Sequence, residues 1–298
     1  MSVPYVTASD GCRLHVEEHG SGAPLLFIHE FAGDHRSWEP QVAHFRARHR
    51  CVVYAARGYP PSEVPEDIEA YSQERAVEDA LAVLDALAIE RADVVGLSMG
   101  GFCTLHLGLR APHRTRSLVV AGCGYGAAPD AQEQFRRECA AIATAFRDEG
   151  SAAVASRYAV GPARVQFQNR NPAAWETFAR QLAEHSSEGA ALTMLGVQSR
   201  RPSLYEMRDR LSALHVPLLI VAGDEDDGCL ESSLMLKRTV PSAGLVVLPR
   251  TGHTTNLEDP GIFNRTVEEF LDAVDQETWG ERDPRSQTRT ITGMADQG

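Results

Sequence analysis

The chain has 298 residues, 43% of them hydrophobic, which is enough to bury one large core carrying an insertion. Its 41 acidic against 29 basic residues give a net charge of −12 with no dense block of Lys or Arg, which argues against nucleic acid or an anionic membrane surface as partner. Six cysteines scattered without a C-x-x-C pair read as free thiols of a reducing compartment. With neither a basic n-region nor a long apolar run in the sequence, the expectation is a cytoplasmic protein acting on a small-molecule substrate.

Short apolar runs alternate with segments of helical period. Residues 3–7 and 13–18 read as an opening hairpin around Asp10-Gly11. Buried strands are expected at 24–28, 51–55, 92–95, 117–121, 217–222 and 244–248, several of them nearly continuous in Val, Leu and Ile. Between them, 72–87, 99–110, 230–239 and 260–274 carry apolar residues at i, i+3 and i+4. The pattern is that of an α/β fold, a mostly parallel central sheet with helices on both faces.

The alternation stops at 128–216, which holds no convincing strand but helical stretches at 131–148, 172–185 and 203–214. This reads as a helical cap inserted into a core made of 1–127 and 217–279, with 280–298 a polar, mobile tail.

The chemistry centres on Gly96-Leu97-Ser98-Met99-Gly100, which directly follows one expected strand and precedes one expected helix. That context is the one required by a nucleophile elbow, where a serine sits on a strained turn and side chains two residues to either side would collide with strand or helix. A serine hydroxyl needs a positioned base, itself held in one tautomer by a buried acid. Downstream, the strand at 217–222 runs into Asp224-Glu225-Asp226-Asp227, and the strand at 244–248 is followed by Gly252-His253. Both lie after the carboxyl ends of strands, where ligand sites of parallel sheets gather. The oxyanion of acyl transfer needs two N–H donors, and one is expected from Met99, just after the nucleophile.

With these motifs the chain resembles the α/β-hydrolase superfamily, in the branch of capped serine esterases and lactonases. The resemblance covers the core and implies an α/β-hydrolase fold with Ser98, Asp226 and His253 as catalytic triad, selecting Asp226 over its neighbours Asp224 and Asp227. It also implies Phe31 as the second oxyanion donor, from the loop His29-Glu30-Phe31-Ala32-Gly33. Two departures stand out. Glu30 replaces a glycine frequent in the family, and reads either as a salt-bridged loop residue, with Arg57 as partner, or as a substrate-binding carboxylate at the site entrance. The loop Ala55-Ala56-Arg57-Gly58-Tyr59 lacks an aspartate and a second glycine common in relatives.

A serine at the elbow excludes the alkyl-ester chemistry of branches that carry aspartate there, leaving acyl transfer. The expected reaction is cleavage of a small ester or lactone. The alternatives are a carbon–carbon bond hydrolase, amidase or perhydrolase on the same triad, or a ligand receptor with little turnover. No cofactor or metal is expected: His29-Glu30 lacks the second histidine of a zinc motif, and Gly122-Cys123-Gly124-Tyr125-Gly126 lacks a dinucleotide-binding context. Aromatic and Met residues of the insertion (Phe167, Trp175, Phe178, Met194, Tyr205) read first as its own core.

Overall fold

A computed structural model describes residues 4–287. Eight strands form one sheet: β1 (Tyr5–Thr7), β2 (Arg13–His19), β3 (Ala23–Ile28), β4 (His49–Tyr54), β5 (Ala92–Leu97), β6 (Thr115–Ala121), β7 (Leu218–Gly223) and β8 (Ala243–Leu248). Their spatial order is β1-β2-β4-β3-β5-β6-β7-β8, with β1 and β2 antiparallel and every pair from β4 to β8 parallel. All eight expected strands are present.

The apolar runs are continuous because the central strands are buried on both faces. Along β6, Leu118 and Val120 face one layer while Val119 and Ala121 face the other, as strand alternation requires. The first layer holds α2 (Gln73–Ala86), α3 (Met99–Arg110) and α10 (Asp227–Thr239). The second holds α1 (Glu39–Phe45), a short helix not expected from the sequence, and, after the single turn α11 (Thr255–Glu258), α12 (Pro260–Asp275).

Between β6 and β7 the chain forms α4 (Gln132–Glu149), α5 (Ser151–Tyr158), α6 (Val165–Arg170), α7 (Pro172–Ala183) and α8 (Ser187–Thr193). The last continues into a single π-helical turn, Met194–Gln198. These helices share an apolar cluster of their own (Cys139, Phe146, Phe167, Phe178, Leu182) that also takes in Phe31, Tyr59 and Met99 from the sheet's upper rim. Residues 203–214, expected as a helix of the cap, depart from that reading. Only α9 (Arg208–Ser212) is helical, and Leu204, Met207 and Leu211 pack in the layer of α3, because their apolar face meets the sheet side. No described helix is long and apolar enough to cross a membrane. All six cysteines are free and buried. Of the expected mobile tail, 288–298 lie outside the described residues.

Candidate active site

Ser98 is both the last step out of β5 and the N-cap of α3, with φ 52° and ψ −114°. A non-glycine residue there carries backbone strain, held in place by its N–H donating to Ala121 O at 2.8 Å. The flanking glycines are steric requirements. A Cβ on Gly100 would stand 2.0 Å from Ile28 O, and one on Gly96 2.2 Å from Gly100 O. The turn therefore packs helix against strand at a distance only glycine allows and lifts the Ser98 hydroxyl into the cavity above the sheet.

The loops after β7 and β8 bring Asp226 and His253 together, with Nδ1 of the imidazole 2.7 Å from Asp226 Oδ2. Both are buried, at 1% and 4% exposure, whereas Asp224 and Asp227 are exposed. A carboxylate on Nδ1 fixes the tautomer with its proton there and leaves Nε2 as the proton acceptor. Burial opposes ionisation of Asp226, but the adjacent His253 and the Cys229 thiol outweigh it, so its pKa lies below the usual carboxylate value.

The His253 loop has a support that the sequence reading missed. One oxygen of Glu258 accepts the Gly252 N–H at 2.7 Å and the other accepts the Thr254 N–H at 2.8 Å, so one buried carboxylate brackets His253 on both sides. Burial pushes the Glu258 carboxyl up, partly countered by these two N–H groups. Its sequence trace is slight: an acid a few residues after Thr254-Thr255, the spacing of a side chain reaching back over a helix start. The glycine-rich run 122–126 also finds its use here. Gly122 turns at φ +58°, and a Cβ on it would lie 3.3 Å from His253 Cε1. Tyr125 packs edge-on against the imidazole with ring centroids 5.4 Å apart.

The loop after β3 is fixed from both ends. His29 Nε2 accepts the Ala56 N–H at 3.0 Å, so its proton sits on Nδ1 and is donated to Glu30 O at 2.7 Å. Burial lowers its pKa to about 4, which keeps the ring neutral in that role. The Tyr59 hydroxyl donates to Phe31 O at 2.8 Å. Among the described residues, the N–H groups of Phe31 and Met99 have no acceptor of their own, and the latter opens a helix N-terminus, where partial positive charge gathers.

Arg57 is not the partner of Glu30. Arg57 is drawn instead to Asp79, with Nε–Oδ2 at 2.7 Å, and to Asp10, with Nη1–Oδ2 at 2.7 Å, a closed network under the first layer. Glu30 is itself 2% exposed and pairs with Arg164, which enters from the turn between α5 and α6 and also donates to the Thr254 hydroxyl. The Glu30 side chain is buried against the insertion, which supplies its cation.

Ser98, His253, Phe31 and Tyr125 line one cavity of about 450 Å³, roofed by Phe135, Ile142, Tyr158, Arg164, Met194 and Arg201 from the insertion. Glu30 does not line it; Arg164 does. Of the insertion's singled-out apolar residues only Met194 faces the cavity, while Phe167 and Phe178 are fully buried in the helical cluster. Two side-chain groups bring metal-ligating atoms together, Asp226 with Cys229 and His253, and, at the antiparallel end of the sheet, His15 with Glu17 and His35. In the first, burial drives the Cys229 thiol well above its ordinary pKa, which disfavours the thiolate a metal would need.

A family model described as the alpha/beta hydrolase fold matches residues 23–260. The chain is 30% identical over 284 residues to a 2-hydroxymuconate semialdehyde hydrolase of Pseudomonas putida, covering 89% of this chain and 92% of the relative. It is 27% identical over 272 residues to 3-oxoadipate enol-lactonase 1 of Acinetobacter baylyi, covering 90% and 97%. Among solved structures, a thermophilic esterase from Thermogutta terrifontis superposes with a TM-score of 0.79 at 26% identity, covering 91% of this chain and 98% of that one. With an elbow, a buried acid–imidazole pair and a match through most of its length, the chain belongs to the alpha/beta hydrolase fold family and is a hydrolase.

Proposed function

We propose that the chain is a serine hydrolase of small esters or lactones. The observation that carries this reading is that Ser98 at its strained elbow lines the same cavity as His253, whose imidazole is held from behind by Asp226. Ser98 Oγ attacks the carbonyl while His253 Nε2 takes its proton. The oxyanion forms against the Phe31 and Met99 N–H groups, and the imidazolium, stabilised by Asp226, protonates the leaving oxygen. Water, activated by the same imidazole, then cleaves the acyl-enzyme. Glu30 serves the substrate indirectly, by holding the Arg164 guanidinium at the cavity wall.

The relative named as a 2-hydroxymuconate semialdehyde hydrolase supports a second reading, carbon–carbon bond cleavage on the same triad. A fluorophosphonate probe should label Ser98 in the folded protein and fail to label Ser98→Ala. Turnover of 4-nitrophenyl esters, lactones and vinylogous diketones then ranks the two reactions. Absence of labelling in folded wild-type protein overturns the serine mechanism.

A further inference from the structure

Among the described residues, three arginines are buried to 5% exposure or less: Arg57, Arg164 and Arg201. Arg57 faces two carboxylates and Arg164 faces one. Arg201 has no carboxylate within ion-pair distance among the described residues. Its Nη1 donates to Gln198 Oε1 and its Nη2 to Tyr125 O, while Nε has no acceptor. The guanidinium lies 3.7 Å from the ring centroid of Phe102 and 4.9 Å from that of Phe135. Burial lowers its pKa to about 10, so it remains charged at neutral pH. Aromatic faces return part of the desolvation cost of such a cation but supply no counter-charge.

This unmatched charge is in the catalytic cavity. Arg201 and Gln198 line it together with Ser98 and His253. Phe102, on which the guanidinium stacks, is one helical turn beyond Ser98 on α3, and the residue whose carbonyl braces Arg201, Tyr125, packs on His253. The only carboxylate lining the cavity, Glu138, is exposed and accepts a hydrogen bond from Gln134 at 2.7 Å. Of the cavity's lining, Glu138, Pro162 and Tyr125 are exposed, whereas Arg201 is buried. The acyl part stays bonded to Ser98 Oγ while the leaving group departs, so the acyl part is the one assigned to the buried lining.

We infer that Arg201, oriented by Gln198, is a binding subsite for a carboxylate on the acyl portion of the substrate, a few bonds from the scissile carbonyl. The planar fork matches the two oxygens of a carboxylate. The proposal rests on the serine-hydrolase reading for the place of the acyl chain, but not for the binding of the anion.

The test compares mono-(4-nitrophenyl) glutarate with the uncharged, similarly sized 4-nitrophenyl pentanoate. The wild-type protein should show a higher kcat/KM for the anionic ester, by about 10- to 100-fold, the value of one desolvated charge-assisted contact. Arg201→Met should remove that preference, lowering kcat/KM for the glutarate ester far more than for the pentanoate. Equal kcat/KM for the two esters in wild-type protein, or an equal loss on both in the variant, overturns the subsite. Calorimetric titration of free glutarate into wild-type, Ser98→Ala and Arg201→Met proteins separates this from the chemistry. Binding retained in Ser98→Ala and lost in Arg201→Met sustains the subsite even if neither ester turns over. No binding to any of them refutes it.

Discussion

The sheet and the insertion treat buried charge in opposite ways. Under the sheet, Arg57 is enclosed by Asp10 and Asp79, and the buried Asp93 is answered by Arg116 and by the Ser117 hydroxyl at 2.6 Å. Each cluster is complete within the frame. In the insertion, Arg164 finds its carboxylate only by reaching down to Glu30, and Arg201 finds none. The frame is electrostatically finished, whereas the insertion is finished only by what it covers. Under the proposed subsite, selectivity falls to the insertion, while the frame carries stability.

The largest test of that division is Ser98→Ala. Activity should fall by about 10⁴-fold or more, the usual loss when a triad nucleophile is removed, with a thermal unfolding transition close to that of wild type. A large loss of stability instead would mean that the elbow is part of what holds the frame together.

Next comes a pair of arginine substitutions read by chemical denaturation. Arg57→Met strands Asp79, at 1% exposure, and should cost about 3–5 kcal/mol. Arg201→Met strands no carboxylate and should cost far less, because an apolar side chain of similar length suits the faces of Phe102 and Phe135. Equal costs would erase the contrast.

Glu258→Gln keeps the size of the bracket around His253 but offers an amide N–H₂ where a backbone N–H needs an acceptor. A 10- to 100-fold fall in kcat is expected, since small displacements of a catalytic group cost about that much. The loss should appear in kcat more than in KM, because the acyl pocket is untouched.

The smallest effect is on pH dependence. His106, on α3 near Glu74, Arg201 and Arg210, is buried, and burial lowers its pKa to about 4 from an ordinary 6.5. Between those values the unfolded chain binds a proton that the folded chain refuses, so this contribution is intact above about pH 6.5 and is lost as the pH falls towards 4. The slope is at most about 1.4 kcal/mol per pH unit for one group. His106→Gln should flatten the stability profile of the protein between pH 6.5 and 5 by up to that amount, measured by denaturant titration at several pH values.

The same division explains what could be read from the sequence. The strands announced themselves because burial on both faces leaves apolar runs at 94–97 and 218–223, and the elbow because only glycine fits beside Ile28 O. Asp226 could be chosen from its neighbours by resemblance, and the structure brings that residue, not Asp224 or Asp227, to His253. Arg164 and Arg201 left no local trace. Arginine is the dominant cation throughout this chain, and whether one is buried over a cavity depends on contacts between segments more than 70 residues apart, such as Arg201 with Tyr125. The partner of Glu30 was missed for the same reason, its cation being 134 positions away. α1 escaped because seven residues carry too few turns for a helical period to show.

The place where the insertion leaves and rejoins the sheet has a further consequence. The helices of the insertion depart after Ala127 and return at Ser203, whose hydroxyl donates to the Ala127 carbonyl at 2.6 Å, so the two ends of the excursion meet; the stretch from Leu204 to Leu214 then runs in the layer of α3 to the amino end of β7. An excursion that begins and ends at adjacent points demands nothing of the sheet in return for its length, since doubling a closed loop costs only about 0.6 kcal/mol. The roof is therefore an exchangeable part. Its helices can change in number and length without moving Ser98 or the Asp226–His253 pair, which stand on the loops of the sheet.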